Sequence, residues 1–435
     1  MTKKTCLIVG GLAILIGLFP QIVFAELRLP NVIADHMVLQ RETVNPVWGW
    51  ASPGEAVTVS FGSTFLTTEA DENGRWRVNL PEYQTNRVGR VMRVKSSDGS
   101  ERVVRDVLVG EVWFFCGPSN IYWPVERCMN AEQEIAAAMY PEIRFFATGK
   151  KLAGEPQEDC EGEWSVCTPE TVGSASGVAY FFGRTLHREL DVPVGVLQSF
   201  WGGTRVEGWT SVEMVEAEPV LTPVVESWNR TIANYDIETE REKHRMALKQ
   251  WNRDIDAAKR AGKPLPREPR MPVNPAKSMH RPGRLFNGMI APLIPYGIRG
   301  AITYQGLGNL YWAEYAEPLM AAMFRDWRKR WGRGDFPIGM IQPAPFPTEG
   351  WAKQSPDAYS LQREAQIHLL EKLPWMGLAP TMDIINFEDV HFPNKQLVAK
   401  RMANWALAEV FGKEVESGGP IFQSMVVEAD TVRVF

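Results

Sequence analysis

The sequence predicts an α/β protein with a mainly parallel central sheet, preceded by a small β-sandwich. Three observations carry this. Residues 26–106 alternate apolar and polar positions with period two, between Gly/Pro/Asn punctuation. Val107-Leu108-Val109-Gly110-Glu111-Val112-Trp113-Phe114-Phe115 is then almost continuously apolar, the pattern of a strand covered on both faces. Beyond it, helical stretches alternate with short apolar runs such as Val194-Gly195-Val196-Leu197 and Gly300-Ala301-Ile302-Thr303-Tyr304.

The elements follow in order. Lys3 and Lys4, an apolar stretch from Cys6 to Phe19, and Val23-Phe24-Ala25 form the three parts of a signal peptide over residues 1–25, so the mature chain is expected to begin at Glu26 in a periplasmic or secreted setting. No later stretch is apolar enough to span a bilayer, so no stable membrane insertion is expected after cleavage. In the β region (26–106), Val57 to Phe61 and Trp76 to Leu80 read as strands, and Asp71-Glu72-Asn73-Gly74 between them as a hairpin turn. The α/β domain is expected over 107–415, with an insertion at 232–282. There Leu248, Trp251, Ile255 and Ala258 recur at helical spacing until Gly262 and Pro264 stop the helix. Met425 to Glu428 and Thr431 to Phe435, within the last segment 416–435, read as two strands.

Composition narrows the function classes. A formal net charge of −5 over 435 residues gives no footprint for nucleic acid. Sixteen Trp supply flat faces suited to sugar rings, although most Trp are core residues. An exported compartment permits disulfides among Cys116, Cys128, Cys160 and Cys167. Cys160 and Cys167 are close enough in sequence to pair across a turn, and Cys116 in its apolar run reads as a buried thiol. No zinc-type ligand spacing is visible and no cofactor is implied.

Four places carry the chemistry. Gly117-Pro118-Ser119-Asn120 follows the buried run, where a strand presents a serine to solvent and the glycine allows a sharp bend. Of six histidines, His391 alone follows two carboxylates, Glu388 and Asp389, either of which can orient an imidazole. Trp201-Gly202-Gly203-Thr204 and Tyr304-Gln305-Gly306-Leu307-Gly308-Asn309 both follow apolar runs. They place glycine N–H groups and an asparagine amide, the donors of an oxyanion hole, at the carboxyl ends of predicted strands.

These motifs resemble the sialate O-acetylesterase branch of the SGNH hydrolases, whose Ser, Gly, Asn and His occur in this order. Leu27 to Pro30, Asp35 to Gln40, Val44 to Trp50, Val109 to Trp113, Ala179 to Gly183, Asn287 to Leu293, Leu361 to Gln366 and Asn394-Lys395-Gln396 extend the match over nearly all of the mature chain. The resemblance implies a three-layer α/β/α domain and a serine esterase acting on acetylated sugars or glycans, sialic acid among them. It implies Ser119 as nucleophile, His391 as base, Asp389 or Glu388 as orienting carboxylate, and Gly202 or Gly203 with Asn309 as oxyanion donors. Trp201, Gln305 and Asn120 are expected at the substrate. The sequence departs from the family at Pro118 (Gln there), Ile121 (Met), Leu307-Gly308 (Glu-Ser) and Phe392 (Pro). Two alternatives stay open: a non-catalytic glycan-binding protein on the same fold, and an acetylesterase acting on plant polysaccharide.

Overall fold

The computed structural model describes residues 26–346, 357–384, 389–422 and 424–434; the signal-peptide expectation for residues 1–25 lies outside them. Seven strands form the first part: β1 Val38–Gln40, β2 Asn45–Trp50, β3 Ala56–Phe61, β4 Thr64–Glu69, β5 Arg75–Leu80, β6 Asn86–Ser96 and β7 Glu101–Gly117. β2 and β5 pair antiparallel, as do β4 with β3, β3 with β6, and β6 with β7, while β1 joins β7 in parallel. The alternating apolar residues turn inward together: Val47, Val57, Val59, Phe61, Trp76, Val78 and Val94 meet in one buried cluster. The Asn73-Gly74 turn is present, but it joins β4 to β5, which belong to different sheets. Phe61 hairpins instead to Thr64 through Gly62-Ser63. Gly74 is required at its turn: its φ is +74°, and a Cβ would lie 2.5 Å from the Ala51 carbonyl.

β7 is the spine of the molecule. Its seventeen residues run through the expected boundary at Asp106–Val107, where Asp106 takes a φ of 55°. Its first half pairs with β6 and its second half lies inside a parallel sheet of order β13-β12-β11-β7-β10-β8. The added strands are β8 Tyr140–Ala147, β9 Trp164–Cys167, β10 Val194–Phe200, β11 Gly300–Thr303, β12 Ile338–Ile341 and β13 Met376–Ala379, with β9 antiparallel at the β8 edge. Helices cover both faces, which is why β7 is apolar from Val112 to Cys116: Val112, Phe114 and Cys116 pack into one core, Trp113 and Phe115 into the other. The fold is a mixed α/β fold with one large mixed sheet.

One polar group is buried in that spine. Glu111 is fully buried and accepts hydrogen bonds from Arg41 Nε (2.5 Å), Gln40 Nε2 (3.0 Å), Arg299 Nε (2.8 Å) and Arg299 Nη2 (2.9 Å). Gln40 returns an acceptor to the Val112 N–H at 2.7 Å. The carboxylate thereby fastens the residues around β1 to the segment leading into β11.

The 232–282 insertion contains the helix Ile237–Ala261, capped by Asp236 and ended by Gly262 in the left-handed region. None of its residues is buried; Leu248, Trp251, Ile255 and Ala258 form its half-covered stripe. Three i,i+3 ion pairs line the other side, and Trp251 Nε1 donates to the Pro266 carbonyl at 2.9 Å, securing the Pro-rich return. β14 Met425–Glu428 and β15 Thr431–Val434 form an antiparallel hairpin whose residues are all exposed. No helix among the described residues is long and apolar enough to cross a membrane. The Cys160–Cys167 pairing does not form. The four cysteines among the described residues are free and buried, Cys160 in one core and Cys167 in the other.

Replacing Glu111 by Gln removes the charge that two guanidinium groups share in the interior. We expect a loss of about 3 kcal/mol of stability, read as a lower urea midpoint at unchanged m-value.

Candidate active site

The strand order reverses beside β7, so a crevice opens at its carboxyl end. β7 stops at Gly117, whose φ is +146° and where a Cβ would meet the Tyr304 carbonyl oxygen at 2.8 Å; only glycine makes this turn without strain. Pro118 then caps a single helical turn, Ser119–Tyr122. Proline at that cap loses no needed donor, and the Ser119 N–H, first in the turn, has no acceptor within the described protein.

Ser119 Oγ lies 2.7 Å from His391 Nε2, although 272 residues separate them in sequence. His391 Nδ1 lies 2.8 Å from Asp389 Oδ1, and the same oxygen accepts the His391 backbone N–H at 2.8 Å. The imidazole is thus held in the tautomer that can accept the serine proton. Trp123 stacks on the ring, centroids 4.6 Å apart and planes 9° from parallel. Burial acts to raise the Asp389 pKa, but the backbone and ring N–H of His391 outweigh it and hold the carboxyl below its usual range. A hydroxyl, imidazole and carboxylate so aligned can generate a serine nucleophile and shuttle its proton. Glu388 lies outside the described residues.

Two loops flank Ser119. In Trp201 to Thr204, the Trp201 N–H donates to the Gly117 carbonyl, and Thr204 Oγ1 closes the turn by donating to the Trp201 carbonyl at 2.8 Å. Gly202 sits beside the serine, a Cβ there falling 3.5 Å from Ser119 Cβ; Gly203 has a φ of +72° and faces open space. Their N–H groups donate to no acceptor among the described residues. The second loop packs on the first: a Cβ on Gly308 would approach the Thr204 carbonyl to 2.5 Å, which accounts for glycine at this departure from the family. Asn309 is buried. Its Oδ1 accepts the Val206 N–H at 3.0 Å, and Nδ2 donates one of its two N–H bonds to Glu207 at 2.7 Å. Burial pushes the Glu207 carboxyl above its ordinary range.

The three residues expected at the substrate divide. Trp201 is half-buried at the crevice. Asn120 is 1% exposed and fully engaged: Nδ2 donates to the Val390 carbonyl at 3.0 Å and Oδ1 accepts from Lys395 Nζ at 2.7 Å. It braces the loop that carries His391 rather than facing the crevice. Gln305 is also 1% exposed, with both amide atoms enclosed and unpartnered. Sequence reasoning missed Lys395, Trp123 and Glu207 as parts of this assembly. Lys395 left one signal: a cation in the first turn of a helix opposes the helix dipole, so its place at the start of Lys395–Trp405 asks for another cause.

Fold and geometry together define an α/β protein with a serine–histidine–aspartate array at a sheet crevice. No family model matches the chain. Sialate O-acetylesterase of Homo sapiens is 26% identical over 430 residues, covering 91% of this chain and 73% of that protein. The Rattus norvegicus protein of the same name is 28% identical over 446 residues, covering 91% and 76%. The crystal structure of a carbohydrate acetylesterase from Xanthomonas citri superposes with a TM-score of 0.76 at 30% identity, covering 94% of this chain and 81% of that one. The chain belongs to the sialate O-acetylesterase family, and it is an esterase.

Lys395 yields a stability signature. Full burial lowers its pKa from 10.5 to about 7, against the attraction of Asp389. Between those values the unfolded chain keeps a proton that the folded chain has lost, so stability rises with pH across that window. Below about pH 7 both states are charged and the contribution is constant. Lys395→Met is expected to abolish this rise, seen as a smaller gain in urea midpoint from pH 7 to 10 than in the wild type.

Proposed function

We propose that the chain is an exported carbohydrate O-acetylesterase that hydrolyses acetyl esters on sialic acid or related sugars through a serine nucleophile. The observation carrying this reading is the pair of contacts at His391, 2.7 Å to Ser119 Oγ and 2.8 Å to Asp389 Oδ1. Ser119 donates its proton to His391 Nε2 and attacks the acetyl carbonyl. Asp389 stabilises the imidazolium so formed. The tetrahedral oxyanion is received by N–H donors on the flanking segments: Ser119, Gly202 or Gly203, and Asn309 Nδ2. His391 then protonates the departing sugar oxygen, and water, activated by the same imidazole, releases acetate from the acetyl-enzyme. Asn120 and Lys395 are positioning residues for His391.

The two antiparallel sheets within residues 26–106 support an accessory β-sandwich, and the helices on both faces of the parallel sheet support a three-layer α/β/α SGNH domain. Acetylated glycan is the partner in this reading; nucleic acid and stable membrane insertion are not.

Acetate release from an aryl acetate tests the chemistry. Ser119→Ala is expected to lower kcat by about 10⁴-fold or more. Asp389→Asn, which spoils the tautomer while keeping shape, is expected to cost on the order of 10²–10⁴-fold. Unchanged acetate release in Ser119→Ala would replace this reading by glycan binding without catalysis. Export predicts that protein recovered from the periplasm or medium begins at Glu26 on N-terminal sequencing.

A further inference from the structure

A second feature adjoins the helical turn that carries the serine. A cleft of about 650 Å³ opens at the carboxyl ends of β8 and β10, lined among others by Tyr122, Thr148, Glu163, Ser165, Gln198 and Phe200. It shares a wall with the catalytic turn. Tyr122 is the last residue of the helical turn that begins at Ser119, and its ring packs on Phe200 with centroids 5.7 Å apart. Phe200 is itself paired with Gly117 in the sheet. An occupant of the cleft therefore touches the last residue of the turn that begins at Ser119.

The lining states what the occupant must be. The volume falls in the range of sites that enclose a whole small molecule, far more than a two-carbon acetyl group fills. Tyr122 is 43% exposed and offers an aromatic face; such faces take the C–H side of a pyranose ring. Gln198 is 4% exposed, and its Oε1 is taken by the Ser176 N–H at 3.4 Å. Its Nε2 donates to no acceptor among the described residues, and the side chain lines the cleft. A donor left free on a residue otherwise buried asks for an acceptor from a ligand. Thr148, Ser165 and Glu163 add hydroxyl and carboxylate oxygens, and the Lys150 ammonium lies 5.9 Å from the Tyr122 ring centroid and 5.8 Å from that of Trp201. An aromatic floor ringed by mixed donors and acceptors matches a polyhydroxylated ring.

We propose that this cleft is the sugar subsite: it holds the pyranose ring of the acetylated substrate, with Tyr122 as platform and Gln198 Nε2 as donor to a ring hydroxyl. This rests on the acetylesterase reading and deepens it, since it places the leaving alcohol rather than the acetyl group.

The test compares two substrates on the full chain: p-nitrophenyl acetate, which has no sugar, and O-acetylated N-acetylneuraminic acid or acetylated xylotriose. In Tyr122→Ala and Gln198→Leu, the kcat/KM ratio of sugar acetate to aryl acetate is expected to fall about tenfold, mostly through KM. Tyr122→Phe, which keeps the ring, should restore the ratio. Direct titration of the deacetylated sugars into Ser119→Ala by saturation-transfer NMR should give binding that Tyr122→Ala abolishes. A ratio held within about twofold in both variants, or sugar binding intact in Ser119→Ala carrying Tyr122→Ala, overturns the subsite. The esterase reading has its own failure, aryl acetate hydrolysis that survives Ser119→Ala; the NMR titration still decides the subsite in that case.

Discussion

The buried Glu111 carboxylate is the constraint on which the rest of the structure depends. It lies where β7 passes from the antiparallel region into the parallel sheet, and it holds Arg41 and Gln40 on one side and Arg299 on the other. A charge in the interior is tolerable only when its partners saturate it, and here four N–H donors do. The geometry of that saturation fixes the register of β7 against β1 and against the start of β11. Six residues on, β7 ends at Gly117, and the serine turn follows at once. The position of Ser119 relative to the loops after β10 and β11 is therefore set by the sheet, with Gly117 absorbing the bend under the Tyr304 carbonyl.

The histidine has no such sheet support; it arrives on a loop ahead of the helix Lys395–Trp405. What holds it is a polar chain buried beneath: Lys395 Nζ to Asn120 Oδ1, and Asn120 Nδ2 to the Val390 carbonyl. Asn120 directly follows Ser119 and Val390 directly precedes His391, so one amide couples the serine and the histidine through their backbones. The Lys395 ammonium also lies 3.6 Å from the centroid of the Phe392 ring, a contact that compensates part of its desolvation. Burying a lysine is costly. The network holds the serine–imidazole distance at 2.7 Å, and in the proposed reaction a misplacement of about 1 Å would cost on the order of 100-fold in rate.

The sequence made legible what depends on local pattern. The apolar run of β7, the serine turn after it, the Gly-rich turns after β10 and β11, and the stripe and stop of the Ile237–Ala261 helix all follow from periodicity and from glycine or proline. The Asp389–His391 contact was legible because it is two residues long. What depends on long-range pairing was hidden. The Asn73-Gly74 turn looks like a hairpin, yet its strands answer to different sheets. Asp106 looks like a boundary, yet the strand continues through it, its positive φ taken up in a register shift against β6. Cys160 and Cys167 are near in sequence but lie in different cores. Asn120 and Gln305 look like substrate contacts because polar residues near a nucleophile usually are; burial decides otherwise for Asn120, whose two amide atoms are already taken.

The departures from the family at Leu307-Gly308 acquire a meaning in this frame. Gly308 is needed for the loop after β11 to close on the Thr204 carbonyl, which brings Asn309 to Glu207. Leu307 packs among apolar neighbours instead of placing a carboxylate there. In the proposed reaction negative charge grows on the acyl oxygen, and an anion beside it opposes that growth in a low-dielectric site. Glu207, beside this loop, is buried with its pKa raised, and it is spent on orienting the Asn309 amide. Arg205, whose guanidinium stacks 4.1 Å from the centroid of the Tyr311 ring, supplies positive charge on the same side. In that proposed reaction, leucine in place of a charged residue at 307 removes an opposing field rather than a donor, and the donors proposed for it, backbone N–H groups and one oriented amide, are independent of that side chain.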